Sequence, residues 1–371
     1  MTSVSASPLR RRRASADDAA MRIALHRLLN AVDKEVERRR IEADLEPARG
    51  APVDIEKLSS LRGSLPGLAV LGATALRRAA AVNGRDVGGV VRGVSSLLSR
   101  HAELATRRRR GETSVDEFGF DREWTETLVP ISAWLYRNWW RVHAIGVENV
   151  PASGRALLVS NHAGVVPYDG AMVRTALLLE HSQPRHARAL VLNGLLSMPG
   201  ASWLMRRAGN TLAHTADATM LLERDELVLV FPEGAKGTGK AYSDRYRLRR
   251  FGRGGFVEVA LRTKSPIVPI SIVGSEEIHP NLAEIPGLAR LLGLPYLPIT
   301  PTFPLLGPAG LIPLPSSWII EFHQPIDLST ATDDDADDQS RVFAIADQVR
   351  DVIQAGVYRN LQRRRSVFAV S

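Results

Sequence analysis

The stretch LLVSNHAGVVPYDGAMV, residues 157–173, decides the fold and poses the functional question. An uncharged apolar run, Ala156 to Val159, ends in Ser160, Asn161 and His162, and a single acid, Asp169, follows closely. A short apolar run bounded by turn residues predicts a buried strand, and GAMVRTALLL after Asp169 predicts a helix. A strand end suits a reactive side chain, because the sheet holds it while the following loop leaves it accessible. An imidazole titrates near neutral pH and can serve as a general base, provided a partner on its other nitrogen fixes the tautomer. No acid lies between 163 and 168, and the next after Asp169 is Glu180, so Asp169 is the only local candidate. As the residue before a helical run it also suits an N-cap, and from these residues alone both roles stay open.

Further strand-like runs lie at 188–192, 227–231, 267–273 and 317–322, besides 156–160. Helical stretches near 170–180, 197–208, 215–224 and 252–263 fall between them. That alternation predicts an α/β fold, a mostly parallel sheet flanked by helices. ELVLVFPEGAKGTGK, 226–240, is such a strand, ended by Phe231, Pro232, Glu233 and Gly234 and followed by Lys236 and Lys240. Beyond it Arg245, Arg247, Arg249, Arg250 and Arg253 crowd a Gly-rich turn before the next helix. Cations and open backbone amides at a helix start suit an anionic group such as phosphate.

The 371 residues contain no cysteine, which excludes disulfides, thiolate zinc sites and a thiol nucleophile. The excess of 48 Lys and Arg over 40 Asp and Glu is local: residues 1–110 hold 22 against 12, the remainder 26 against 28. Arg10–Arg13 and Arg107–Arg110 bracket the basic part. Such blocks suit an anionic lipid surface or nucleic acid, or form a solvated tail. No apolar core follows the N-terminal arginines, so no signal peptide is expected. Residues 1–20 read as a disordered basic tail and 21–110 as an accessory helical region. An α/β domain would then occupy 111–330, with an acidic linker, DDDADD, and an amphipathic helix over 331–371. Two features bear on membranes. Trp134, Tyr136, Trp139 and Trp140 crowd one segment beside Arg137 and Arg141, as headgroup-layer rings or as core aromatics. Residues 291–320 carry no charge yet contain seven prolines, which forbid a spanning helix and predict an apolar loop packed on the domain.

Taken together, these blocks resemble the glycerolipid acyltransferases, which include lysophosphatidate and glycerol-3-phosphate acyltransferases. Asn161-His162 with Asp169 is similar to that family's first block, Phe231-Pro232-Glu233-Gly234 to its third, and Val268-Pro269-Ile270 to its fourth, in the same order. The run VDEFGFDREW, with NHAGVVPYDG and FPEG, looks most like an actinobacterial branch of the superfamily. The resemblance implies that His162 takes the proton of an acceptor hydroxyl and Asp169 orients it. Glu233 would help hold the acceptor, where the residues alone equally allow a turn carboxylate satisfied by amides. Asn161, Phe231, Pro232, Gly234, Arg249 and Arg250 would line the substrate site, and Lys236 stands where the family has a phosphate-binding arginine. The donor would be acyl-CoA or an acyl carrier protein, the acceptor a lysophospholipid or other glycerolipid, and no cofactor or metal is expected. Peripheral attachment to the cytoplasmic face of the plasma membrane follows, with no nucleic-acid partner.

Two departures stand out. Six residues separate His162 from Asp169 where the family has four, so the chain must bulge through Gly164 to Pro167. The second block aligns best with GNTLAHT, 209–215, placing Thr215 where an arginine is expected. A neutral acceptor such as diacylglycerol therefore remains open, and a hydrolase using the same dyad is the nearest alternative.

Overall fold

The computed structural model describes residues 106–107, 110, 115–163, 168–191, 201–234, 237, 240–252, 254–281, 283–284, 298–300, 312–364 and 366–367. Thr300 and Ile312 apart, these residues fall in one compact unit. The basic tail and nearly all of the accessory helical region lie outside the described residues. So do Lys236, Arg253, the 164–167 bulge and most of the uncharged 291–320 segment.

Seven strands form the main sheet: β1 (His143–Ile145), β2 (Ala156–Ser160), β3 (Ala187–Val191), β4 (Asn210–Leu212), β5 (Leu227–Val230), β6 (Ile267–Val273) and β9 (Ile319–Phe322). Their order is β1-β9-β6-β2-β5-β3-β4. The run from β6 to β4 is parallel, and β9 joins it antiparallel to β6 with β1 parallel to β9. A separate pair joins β7 (Ala283–Glu284) to β8 (Pro298–Ile299). All five expected strands are present. The three-residue β1 and β4 went unread, since neither carries an apolar run long enough to register.

Every residue of β2 is buried, as a central parallel strand with both faces covered requires. Ala156 and Leu158 face one layer, with α2 (Tyr168–Leu179) contributing Met172, Val173, Ala176 and Leu177. Leu157 and Val159 face the other, against α4 (Thr215–Glu223), α5 (Gly255–Arg262) and α7 (Gln339–Arg363). Helices α1 (Arg122–Trp134) and α3 (Ala201–Arg207) pack together, with the Trp124 and Trp203 rings edge-on at 5.6 Å.

Packing decides one open reading and corrects another. Tyr136 and Trp140 are core residues: Trp140 is fully buried against Trp318 and Tyr168, its indole N–H donating to the Leu314 carbonyl at 3.2 Å. A headgroup role for these two rings is thereby removed. The acidic stretch is helical as well, as α6 (Asp333–Asp337), because a Thr332–Asp335 capping box closes its first turn and Ala336 is buried. Asp338 then caps α7 by accepting from the Ser340 and Arg341 amides.

Helix α7 is integral to the core, since Val342, Val349, Ile353 and Val357 are all fully buried on one sheet face. Its approach to α5 is close: a Cβ at Gly254, where φ is +82°, would lie 2.5 Å from the Val342 Cγ1. Ile353→Ala is expected to cost about 2–5 kcal/mol, read as a lowered urea midpoint at unchanged slope.

Candidate active site

The chain leaves β2 through α2 on one face of the sheet and leaves β5 for α5 on the other. Where consecutive crossovers diverge like this, a crevice opens at the carboxyl ends of the strands. His162 follows β2 by two residues and Phe231 follows β5 directly, so both stand at that crevice.

His162 Nδ1 lies 2.6 Å from the Asp169 Oδ2. The same oxygen accepts the Ala163 amide at 2.9 Å, and Oδ1 accepts the Gly170 amide at 2.8 Å. Asp169 is completely buried in the first turn of α2, where the helix dipole also favours negative charge. The spatial question raised by the longer His-to-Asp gap is thus answered: the two groups meet. Phe231 stacks on the imidazole with centroids 4.3 Å apart at 24°, fixing the ring plane from one side. The imidazole is 14% exposed, and among the described residues none hydrogen-bonds its Nε2. With Nδ1–H committed to Asp169, Nε2 carries the lone pair.

Glu233 has the contacts of a turn carboxylate satisfied by amides. Its side chain is fully buried, Oε1 accepting the His162 amide at 3.1 Å and Oε2 accepting the Arg249 amide at 2.7 Å. Lys240 Nζ stands 3.3 Å from the same Oε2. Both oxygens serve the protein, so Glu233 holds the backbone that carries His162. Asn161 is likewise bound to the scaffold: its amide donates to the Ile272 carbonyl at 3.0 Å and accepts the Ile272 N–H at 2.8 Å. It continues the β2–β6 pairing beyond Ser160 and is buried.

Pro232 and Gly234 shape the turn, Gly234 with φ of +56° and its amide on the Phe231 carbonyl at 3.0 Å. Arg249 contributes its backbone N–H, while its exposed guanidinium pairs with Asp244 at 2.7 Å. Arg250 points its charge over the Phe343 ring of α7, 5.9 Å from the centroid, and is not drawn into the dyad. Lys236 lies outside the described residues.

Three site residues escaped the sequence reading. Gly237 is buried against the base, where a Cβ would fall 2.7 Å from the Glu233 Cβ and 3.1 Å from the His162 Cβ. Lys240 Nζ contacts Glu276 Oε1 at 3.1 Å and the Arg247 carbonyl at 3.3 Å, and Glu276 Oε2 accepts the Tyr246 amide at 3.0 Å. The available signal was SEE after β6, a pair of acids shortly beyond an uncharged strand. Burial pushes the Glu276 carboxyl up to about 7; Lys240 opposes that rise and Glu233 adds to it. Burial works against the Lys240 ammonium, but Glu276 and Glu233 outweigh it and hold its pKa above the ordinary lysine value.

The Acyltransferase family model matches residues 141–273, an interval running from just before β1 to the end of β6 and containing His162, Asp169 and Glu233. An uncharacterized protein of Mycobacterium tuberculosis (strain ATCC 25618 / H37Rv) is 49% identical over 293 residues, covering 79% of this chain and 82% of the relative. The chain belongs to the acyltransferase family. A second relative of this acyltransferase, an uncharacterized protein of Mycobacterium leprae, is 51% identical over 278 residues, 74% of this chain and 76% of its own. Among solved structures, the 1-acyl-sn-glycerophosphate (LPA) acyltransferase PlsC from Thermotoga maritima is similar with 17% identity and a TM-score of 0.43, over 74% of this chain and 98% of that one.

Two stability measurements check this description of the acyltransferase site. Asn161→Ala strands the Ile272 N–H and carbonyl in the core and is expected to cost about 2–4 kcal/mol in urea unfolding. Glu276 binds its proton more tightly folded than unfolded, where it titrates near 4.5, so its stabilising contribution is complete below that pH and is lost as pH rises through about 7. Wild-type stability should therefore fall relative to Glu276→Gln between those pH values; parallel curves would contradict the assignment.

Proposed function

We propose that this acyltransferase moves a fatty acyl group from a thioester, acyl-CoA or acyl carrier protein, to a hydroxyl of a glycerolipid. His162 is the general base and Asp169 its orienting partner. The supporting observation is the asymmetry of the imidazole: Nδ1 is held by a buried carboxylate, while Nε2 has no hydrogen-bond partner among the described residues.

The chemistry balances with these groups alone. Nε2 takes the acceptor's O–H proton as the oxygen attacks the thioester carbonyl, and the imidazolium that forms is stabilised by Asp169. The tetrahedral intermediate collapses with cleavage of the C–S bond, and the departing sulfur receives the proton from Nε2. The acceptor oxygen is itself the nucleophile, and the cysteine-free chain offers no thiol for a covalent acyl-enzyme.

We place the enzyme peripherally at the cytoplasmic face of the membrane, where its substrates partition. Among the described residues no helix is long and apolar enough to cross a membrane. Support for surface attachment comes from the arginine blocks at 10–13 and 107–110 and from the exposed Trp203 and Leu204 on α3, beside Arg206. Thr215 is exposed at the start of α4, and His214 caps that helix by accepting the Ala216 amide, so this segment offers no cation to an acceptor phosphate. Neutral acceptors therefore belong in the test beside phosphorylated ones.

The test supplies acyl-CoA with lysophosphatidate, lysophosphatidylinositol, monoacylglycerol or diacylglycerol in anionic vesicles and follows thiol release and acylated product. His162→Ala should lower turnover about 100- to 10,000-fold while far-UV circular dichroism is unchanged, and Asp169→Asn should also lower turnover. Equal thiol release with and without acceptor, yielding free fatty acid, would make the protein a hydrolase and overturn the reading.

A further inference from the structure

Glu233 binds the backbone of the base, so whatever fixes Glu233 also fixes His162. Its Oε2 meets Lys240 at 3.3 Å, and Lys240 is anchored in turn by Glu276 at 3.1 Å and by the Arg247 carbonyl at 3.3 Å. The far oxygen of Glu276 accepts the Tyr246 amide. A chain of contacts therefore runs from the segment after β6, through the 240–249 segment, to the peptide N–H of His162. All three side chains are nearly inaccessible, at 0%, 2% and 6% for Glu233, Lys240 and Glu276. Buried charges are costly unless paired and hydrogen-bonded, and a fold that needed only stability would do as well with apolar side chains here.

The placement is directional. Glu233 bridges two backbone amides far apart in sequence, those of His162 and Arg249, and neither amide moves independently while the carboxylate spans them. Without Lys240, Glu233 would be a buried carboxylate lacking its counter-charge, free to rotate off the His162 amide or to take up a proton. Nothing in the Asp169 contacts replaces that hold, because Asp169 fixes the ring and the Ala163 amide but not the His162 amide. Gly237 closes the arrangement, packing against both Glu233 and His162 where no side chain fits.

We infer that Lys240, clamped between Glu276 and Glu233, is a positioning residue for acyl transfer: through Glu233 it holds the backbone of His162 where Nε2 meets the acceptor hydroxyl. It touches no reacting atom. The inference rests on the proposed role of His162 as base. An error of about 1 Å in the position of a catalytic group costs roughly 100-fold in rate, so the effect belongs to kcat and leaves substrate affinity nearly untouched.

The experiment compares the full-length wild type with Lys240→Met, Lys240→Arg and Glu276→Gln in the vesicle assay. In parallel, proton NMR of the ring-labelled histidines follows the His162 Nδ1–H signal, assigned by its loss in His162→Ala. Lys240→Met should lower kcat about 30- to 100-fold with KM for donor and acceptor unchanged, and should shift or broaden the Nδ1–H signal. Lys240→Arg, which keeps the charge, should restore most of kcat and the signal. Glu276→Gln keeps the shape and an acceptor for the Tyr246 amide, and it should give a smaller kcat loss in the same direction. It carries the test if Lys240→Met does not fold. An unchanged kcat in folded Lys240→Met, or equal losses in the Met and Arg variants, would overturn the inference. If the wild type transfers no acyl group, the glycerolipid reading falls, and an Nδ1–H signal identical across the variants would then overturn the positioning role separately.

Discussion

The buried carboxylate of Asp169 is the constraint on which the site depends. Its two oxygens gather three N–H groups, the imidazole Nδ1–H and the Ala163 and Gly170 amides. One of these belongs to the reactive ring, one to the loop leaving β2 and one to the first turn of α2. Fully withdrawn from water, a carboxylate is tolerated only with such complete pairing. The same interaction therefore sets the imidazole tautomer and ties strand to helix. Binding the first turn of the helix and holding the imidazole, alternatives in the sequence, both fall to one side chain.

A second hold acts from below and is of a different kind. Asp169 fixes the ring; Glu233 fixes the peptide that carries it, and Phe231 restrains the ring plane. Three restraints from α2, from the turn after β5 and from the ring beside it leave His162 one nitrogen without a hydrogen-bond partner among the described residues. That geometry follows from the sheet order. With β2 between β5 and β6, the loops after β2 and β5 and the SEE turn after β6 emerge at the same edge. Residues more than a hundred positions apart, His162 and Glu276, are linked there through only Glu233 and Lys240.

The architecture was legible because its carriers are local. Five apolar runs became five strands within two residues of the expected ends, and the 3.6-residue pattern from Val342 to Val357 became the buried face of α7. His162 and Asp169 could be paired because no competing acid lay near. What could not be read was how polar side chains are divided between substrate and scaffold. Asn161 and Glu233 are the residue types one would assign to an acceptor, yet both are consumed by backbone groups contributed from β6 and from the 249 region. Those partners are long-range in sequence, and no local pattern reports them. The same holds for Trp140, whose burial depends on Trp318; the helix of the acidic run, by contrast, carries a local signal in Thr332 and Asp335, three residues apart.

The distribution of charge in the site then has a consistent physical sense. The carboxylates closest to the base, Asp169 and Glu233, are both buried and both bound to amides, so neither can swing to compete with an acceptor hydroxyl for Nε2. Their negative charge nonetheless lies near the imidazole, where in the proposed transfer it would stabilise the cation formed as the hydroxyl loses its proton. Lys240 offsets part of that charge from the far side of Glu233, and Glu276 in turn offsets Lys240. An apolar floor would leave the base without this preorganised field, and exposed carboxylates would leave it without restraint. Burial with full pairing satisfies both requirements, which explains why this enzyme keeps an ionic cluster in a position where stability alone would favour hydrocarbon.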